Sequence, residues 1–128
     1  LSAACQHTPD ALFEPQGTSQ VFDADEKIII RAIAQVLKDR GFGEAQIEAD
    51  QKRLETDYVV EKDWRTKVVA TIKKVGRKER EVTLLVITEQ KDASPSGWKP
   101  KKLLGKEQYE KIFGEIEMQI YREWYKGN

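Results

Sequence analysis

WRTKVVATIKKVGRKEREVTLLVIT, residues 64–88, is the stretch whose reading decides the fold. Its first half sets Val68, Ala70 and Ile72 on one side and Val69 and Thr71 on the other, the two-residue period of a strand. Gly76-Arg77-Lys78 interrupts this with turn chemistry. The second half, Glu79 to Glu89, is rich in β-branched residues that suit a pleated surface. Two such strands joined by a short turn pair as an antiparallel hairpin.

Working outward, Leu54, Thr56, Tyr58 and Val60 alternate with polar neighbours, and Ile47 and Ala49 do so before them. This predicts one bent strand or two short ones, with an irregularity near Gln51 to Arg53. Further upstream, Ile29, Ile33, Val36 and Leu37 recur at helical spacing around Ala32, predicting a helix from about Ala24 to Arg40. Asp23 is its expected N-cap, Glu26 completes a capping box, and Phe22 is placed to staple the first turn. Gly41 tolerates the left-handed backbone that ends a helix, with Phe42 folding back on the core. Ser19 to Phe22 reads as a short edge strand. Downstream, Ala93 to Pro100 is dense in breakers and reads as a loop. Tyr109, Ile112, Phe113, Ile116, Ile120 and Trp124 then form the apolar stripe of a closing helix, from about Lys106 to Tyr125.

The expected fold is therefore α+β: a two-layer sandwich in the order helix, strands, helix. Both helices would pack on one face of a three- to four-stranded antiparallel sheet, leaving the other face polar and open. Residues 1–20, with Pro9, Pro15 and Gly17, read as a flexible tether, and 21–128 as a single domain. A chain of 128 residues can bury one core without metal or crosslinks. Its 22 basic and 22 acidic residues cancel, so it has no general attraction for phosphate backbones and no nucleic-acid partner is expected.

Chemistry has few footholds. One Cys excludes an internal disulfide, and one His makes no zinc site by itself. Cys5 and His7 lie close together on a flexible segment, which is not preorganised for nucleophilic catalysis. Glu48, Asp50, Glu55 and Asp57 have the spacing of a strand's wet face. An enzyme would need Asp50, Glu55, Asp57 and Arg65 to converge. No catalytic residue, cofactor or metal is expected. Lys73, Lys74, Arg77, Lys78 and Arg80 bracket the hairpin turn, where they solubilise it and blunt a sheet edge. Trp98, with Lys99, Lys101 and Lys102 around Pro100, is the candidate partner contact. Covering the end of the core is the competing role for Trp98.

Leu1-Ser2-Ala3-Ala4-Cys5 resembles the end of a bacterial lipobox, except that Leu lies one position too far from the Cys. On that reading Cys5 carries the lipid, and Leu1 to Ala4 belong to a cleaved signal peptide. Several phrases resemble an uncharacterised family of small bacterial outer-membrane and periplasmic lipoproteins. They are Phe22-Asp23 with Asp25-Glu26, the VLxDxGF phrase Val36 to Phe42, Ile47 to Asp50 followed by Leu54, the arginine-led strand Arg65 to Ile72, and Ile120-Tyr121-Arg122-Glu123. Arg40 replaces a frequent Leu, so this helix end is expected to be more exposed. The architecture is also similar to the lipoprotein C domain of the barrel-assembly machine. The resemblance implies a non-catalytic binding or assembly component of the cell envelope, anchored through palmitate-type acyl chains on Cys5. It would lie on the periplasmic side of the outer membrane of a Gram-negative bacterium, with an envelope protein as partner. The competing expectation is a soluble ligand-binding or immunity-like module, its pocket lying between helices and sheet and gated by Trp98. The sequence sets no oligomeric state.

Overall fold

The computed structural model describes residues 17–48, 50, 52–101 and 104–127. In chain order they form β1 (Thr18–Asp23), α1 (Glu26–Asp39), β2 (Gln46–Glu48), β3 (Arg53–Glu55), β4 (Val59–Glu61), β5 (Trp64–Lys74), β6 (Glu79–Lys91), β7 (Trp98–Lys101) and α2 (Lys106–Gly127). The architecture is α+β, with two helices and a seven-stranded antiparallel sheet among the described residues.

β5 and β6 form the central hairpin, paired from Trp64↔Gln90 to Lys74↔Arg80 around the Gly76 turn. One flank of β6 is shared. β1 covers Glu79 to Leu84, and β7 covers Thr88 to Lys91. Between those stretches the Val86 amide donates to the hydroxyl of Tyr109 at 3.0 Å, so a side chain of α2 takes the place of a strand carbonyl. The far flank of β5 is shared likewise by β3 and β4, with β2 outside β3. Thr56 bridges that gap. Its amide donates to the Val68 carbonyl at 3.0 Å, while its Oγ1 accepts from the Val68 amide at 2.9 Å. The ladder thus continues where the strand breaks.

Seven strands replace the expected three to four because short segments share flanks, each too brief to show a period of its own. β1 also starts at Thr18, inside the segment read as tether. Trp98 to Pro100, expected as loop, belongs to β7. Pro100 is tolerated there because β7 pairs with β6 alone among the described residues, and an edge strand can lack an N–H on its free side.

Val68, Ala70 and Ile72 of β5, Val82 and Leu84 of β6 and Leu54 of β3 share one core with Ile29, Ile33, Val36 and Leu37 of α1 and Tyr109, Ile112, Phe113, Ile116 and Ile120 of α2. Each fully buried aliphatic or aromatic side chain contributes roughly 1.5–3 kcal/mol. The helices do not make the full second layer of a sandwich. β6, with 13 residues, extends about 43 Å, whereas α1 and α2 span about 21 and 33 Å. They flank the sheet along Val68 to Ile72 and Val82 to Leu84, and the end of α1 reaches the cavity lined by Trp64 and Thr66.

The N-cap of α1 is Asp25, whose carboxylate accepts from the Lys27 amide at 2.7 Å; Asp23 instead ends β1 opposite Glu79. Phe22 points to the helix face, where its ring meets Phe113 of α2 at 6.1 Å in a core shared with Ile29 of α1. The other end of α1 closes as expected. Gly41 adopts φ 95°, its amide donates to Lys38, and the Phe42 amide reaches back to the Leu37 carbonyl at 3.0 Å. Arg40 is exposed and forms an ion pair with Glu115 of α2 at 2.7 Å. α2 differs from the expected stripe at one place. Trp124 is 42% exposed, and the inward position at that turn is Glu123, hydrogen-bonded to buried Gln119 at 2.8 Å and 3.6 Å from Arg31 of α1. Those bonds to Gln119, Lys126 and Arg31 hold the Glu123 carboxyl below its ordinary value.

Candidate functional site

The face of the sheet turned away from the helices is not wholly polar. Val69 is buried there and Leu85 stands directly across from it, with Ile87 one step along the same face of β6. Beside this apolar strip runs a chain of contacts over five strands and the residue that precedes β4. Arg53 on β3 reaches Glu48 on β2 at 3.5 Å and Glu55 at 2.8 Å, and Lys67 on β5 donates to the other Glu55 oxygen at 2.7 Å. Lys67 also lies 4.9 Å from the centroid of Tyr58, just before β4.

Tyr58 is half of a stack. The Arg65 guanidinium lies 4.0 Å from the Tyr58 ring and 4.5 Å from the Trp98 ring of β7. Both contacts suit cation–π attraction. A single Glu89 oxygen, Oε1, lies 2.6 Å from Nε and Nη2 of Arg65. The local causes are simple. The β5–β6 register sets Arg65 opposite Glu89, and β7 pairing sets Trp98 opposite Lys91, on the same face. Tyr58 stands just beyond the Thr56 interruption, half-buried against both cations.

The belt's three carboxylates, Glu48, Glu55 and Glu89, answer its three cations, Arg53, Lys67 and Arg65. Donation from Lys67, then from Arg53, holds the Glu55 carboxyl below its usual range. Such a group stays ionised and paired, the opposite of a carboxyl poised for proton transfer. Burial, and next the Glu89 charge, push the Tyr58 hydroxyl above its ordinary value, so it stays protonated. Of the four residues an enzyme would need, Glu55 and Arg65 each have their own partners in the belt, while Asp50 and Asp57 are exposed.

Of the sequence's candidate contact residues, Trp98 lies on this outer face as a half-buried stacking partner. Lys99 and Lys101 pair with Gln90 and Thr88, on the alternate parity of β6. The lysines therefore point to the opposite face, and the sequence cluster splits in two. Lys102 and Cys5 lie outside the described residues, as does His7. In the basic turn, Arg80 folds inward, its Nε 3.8 Å from Glu26 of α1, which Lys52 also approaches at 3.6 Å. A cavity of about 350 Å³ between the end of α1 and the sheet is lined by Phe42, Val59, Trp64 and Thr66, so the indole beside it is Trp64 rather than Trp98.

Tyr58, Arg65 and Glu89 were absent from the sequence's candidate contact residues. The sequence does hold a signal for the last two, since counting outward from the Gly76 turn brings opposite charges face to face. Among the described residues no helix is long and apolar enough to cross a membrane.

No family model matches the chain, and no curated protein matches it. Among solved structures it is similar to the adenylate sensor from AMP-activated protein kinase in complex with 5-aminoimidazole-4-carboxamide 1-beta-D-ribofuranotide (ZMP). That likeness has 10% identity and a TM-score of 0.45, over 80% of this chain and 94% of that one.

Proposed function

We propose that this chain is a non-catalytic binding or assembly component of a bacterial cell envelope. It is held through lipid on Cys5 at the periplasmic side of the outer membrane and presents the outer sheet face to an envelope protein. The observation that carries the binding role is the apolar strip of Val69, Leu85 and Ile87 bordered by the Tyr58–Arg65–Trp98 stack. Aromatic and Arg side chains around an apolar centre are what protein interfaces are enriched in. The anchoring role rests on the LSAAC phrase and the resemblance to envelope lipoproteins. One acyl chain binds membranes only marginally, so firm anchoring requires more than one on Cys5.

Two measurements test the two parts separately. Mass spectrometry of the protein extracted from host membranes is expected to find acyl chains on Cys5, and Cys5→Ser is expected to release it from the membrane fraction. A photo-crosslinking residue in place of Trp98 is expected to capture one envelope protein, whereas the same residue in place of Lys111, on exposed α2 surface, is not. An unmodified Cys5 in the native host overturns the anchor. Equal capture from both positions overturns the outer face as the binding surface.

A further inference from the structure

A second surface, on the helix side of the molecule, has a definite chemistry. β1 pairs with β6 on one flank only among the described residues, so its other flank presents unpaired backbone N–H and C=O groups. α2 lies along this strand, and between them runs a groove of about 330 Å³. It is lined on one side by Gln20 to Ala24, in and just after β1, and on the other by Glu117, Ile120, Tyr121 and Trp124 of α2. The two rings meet at 6.1 Å, tilted by 49°, and are 48% and 42% exposed, as is nearby Val21 at 48%. Glu117 and Asp23 are exposed carboxylates without an ion-pair or hydrogen-bond partner among the described residues. Of the described residues lining the groove, none is Lys or Arg.

We propose that this groove binds an extended peptide carrying a Lys or Arg side chain, the strand adding to the free edge of β1 and the cation entering between Trp124, Tyr121 and Glu117. Backbone pairing supplies a sequence-independent part of the affinity, and the pocket on alternate residues supplies the choice of side chain. The Tyr121 and Trp124 rings and the Glu117 carboxylate line one groove, which suits cation–π and charge-assisted contacts to an incoming cation. Charge complementarity also rules on the occupant. A second copy of β1 offers Asp23 but no basic residue. The chain's own first sixteen residues hold no Lys or Arg, and Asp10 and Glu14 would add like charge. The occupant is therefore another protein. Register is limited as well, because Arg77, Lys78 and Arg80 line the neighbouring cavity across Trp124 and Asp23. The incoming cation belongs at the Glu117 end, away from these like charges.

The test uses the full chain and three probes: a short peptide of alternating Thr and Val with one central Arg, the same peptide with norleucine there, and N-acetyl-arginine methylamide. Titration is followed by amide NMR shifts. The Arg peptide is expected to bind about tenfold more tightly than the norleucine peptide, which is the size of one charge-assisted contact. Shifts should concentrate on β1 and on 117–125 of α2. Glu117→Gln, an exposed substitution that leaves the core intact, is expected to remove most of that preference, and added salt to weaken it. Equal binding of the two peptides, or Arg-peptide shifts centred on Trp98, overturns the groove as a cation site. Equal binding of the methylamide and the Arg peptide overturns strand addition.

Discussion

Arg65 touches Tyr58, Trp98 and Glu89, and removing these partners in turn measures whether the outer face is an energetic unit. Its side chain is 26% exposed and that of Glu89 is 17% exposed, so the group is neither fully solvated nor dry. A cation–π contact contributes about 0.5–1 kcal/mol in the open and about 2 when desolvated, which gives roughly 1 kcal/mol for the Trp98 ring. A charge-assisted hydrogen bond contributes about 1.5–3 kcal/mol, and partial exposure favours the lower end for Glu89. Arg65→Met should therefore cost about 2–3 kcal/mol, since the terms are not additive. The informative quantity is the coupling in a cycle of Arg65→Met and Trp98→Leu, expected at about 1 kcal/mol.

Urea unfolding followed by far-ultraviolet circular dichroism reads it, because indole fluorescence would change with the stack itself. The slope of free energy against urea must stay constant through the cycle for the differences to count as stability. Arg65→Lys keeps the charge but has no planar group to lie flat against a ring, so the coupling to Trp98 should fall by about half. A coupling below about 0.3 kcal/mol would refute the stack and reduce Trp98 to an indole lying over an ion pair formed without it.

Thr56→Val preserves shape but leaves the Val68 amide without its acceptor at a buried site, so it should cost about 1–3 kcal/mol and speed hydrogen exchange at Val68. Thr56→Ser should cost less, and unchanged exchange in the Val variant would contradict the bridging role. Tyr109→Phe removes the acceptor of the Val86 amide and should cost about 1–2 kcal/mol, checked by thermal unfolding and exchange at Val86. Because the folded Glu55 carboxyl sits below its ordinary value, its contribution is complete above about pH 4.3 and is lost as pH falls through the lower folded value. Glu55→Gln should flatten that acid limb of a urea-midpoint profile, and an identical slope in both proteins would count against the pairing. Gly41→Ala places a Cβ at φ 95° and should cost about 1 kcal/mol by urea unfolding, whereas Gly114→Ala, inside α2 with open space for the Cβ, should stabilise by about 0.5–1 kcal/mol.

The parts of this fold that were legible are those whose period is local. Ile29 to Leu37 repeat often enough to announce a helix, Gly41-Phe42 carries its own stop signal, and Val68 to Ile72 alternate long enough to announce a strand. β2, β3 and β4 are three residues each, too short for any period to rise above chance. At Trp124 the period itself was ambiguous, since helical spacing from Ile116 and Ile120 serves position 123 or 124 equally. Hydropathy favours Trp124, yet the helix pair is closed there by Glu123 against Arg31, and the indole turns to the β1 edge. The outer-face belt was legible only in part. Arg65 and Glu89 follow from the hairpin register, but Trp98 reaches them through a strand containing Pro100, and Tyr58 depends on the Thr56 interruption.

The belt also follows from its place on the sheet face turned away from both helices. Among the described residues no second layer supplies apolar cover on that face, and bare sheet there would expose backbone and β-branched side chains to water. Long charged side chains lying along the surface solve this, because their aliphatic stems cover apolar area while their heads pair with one another. Arg53, Lys67 and Arg65 do so, each answered by a carboxylate on its own or a neighbouring strand. Charges already paired in this way give a partner little Coulomb energy, since an incoming ion must displace an existing one. Affinity at the outer face must therefore come from the rings and the Val69, Leu85 and Ile87 strip. The unpaired Glu117 and Asp23 at the β1 groove stand in the opposite situation, and salt should separate the two surfaces: binding at the groove weakens with ionic strength, and binding at the belt changes little.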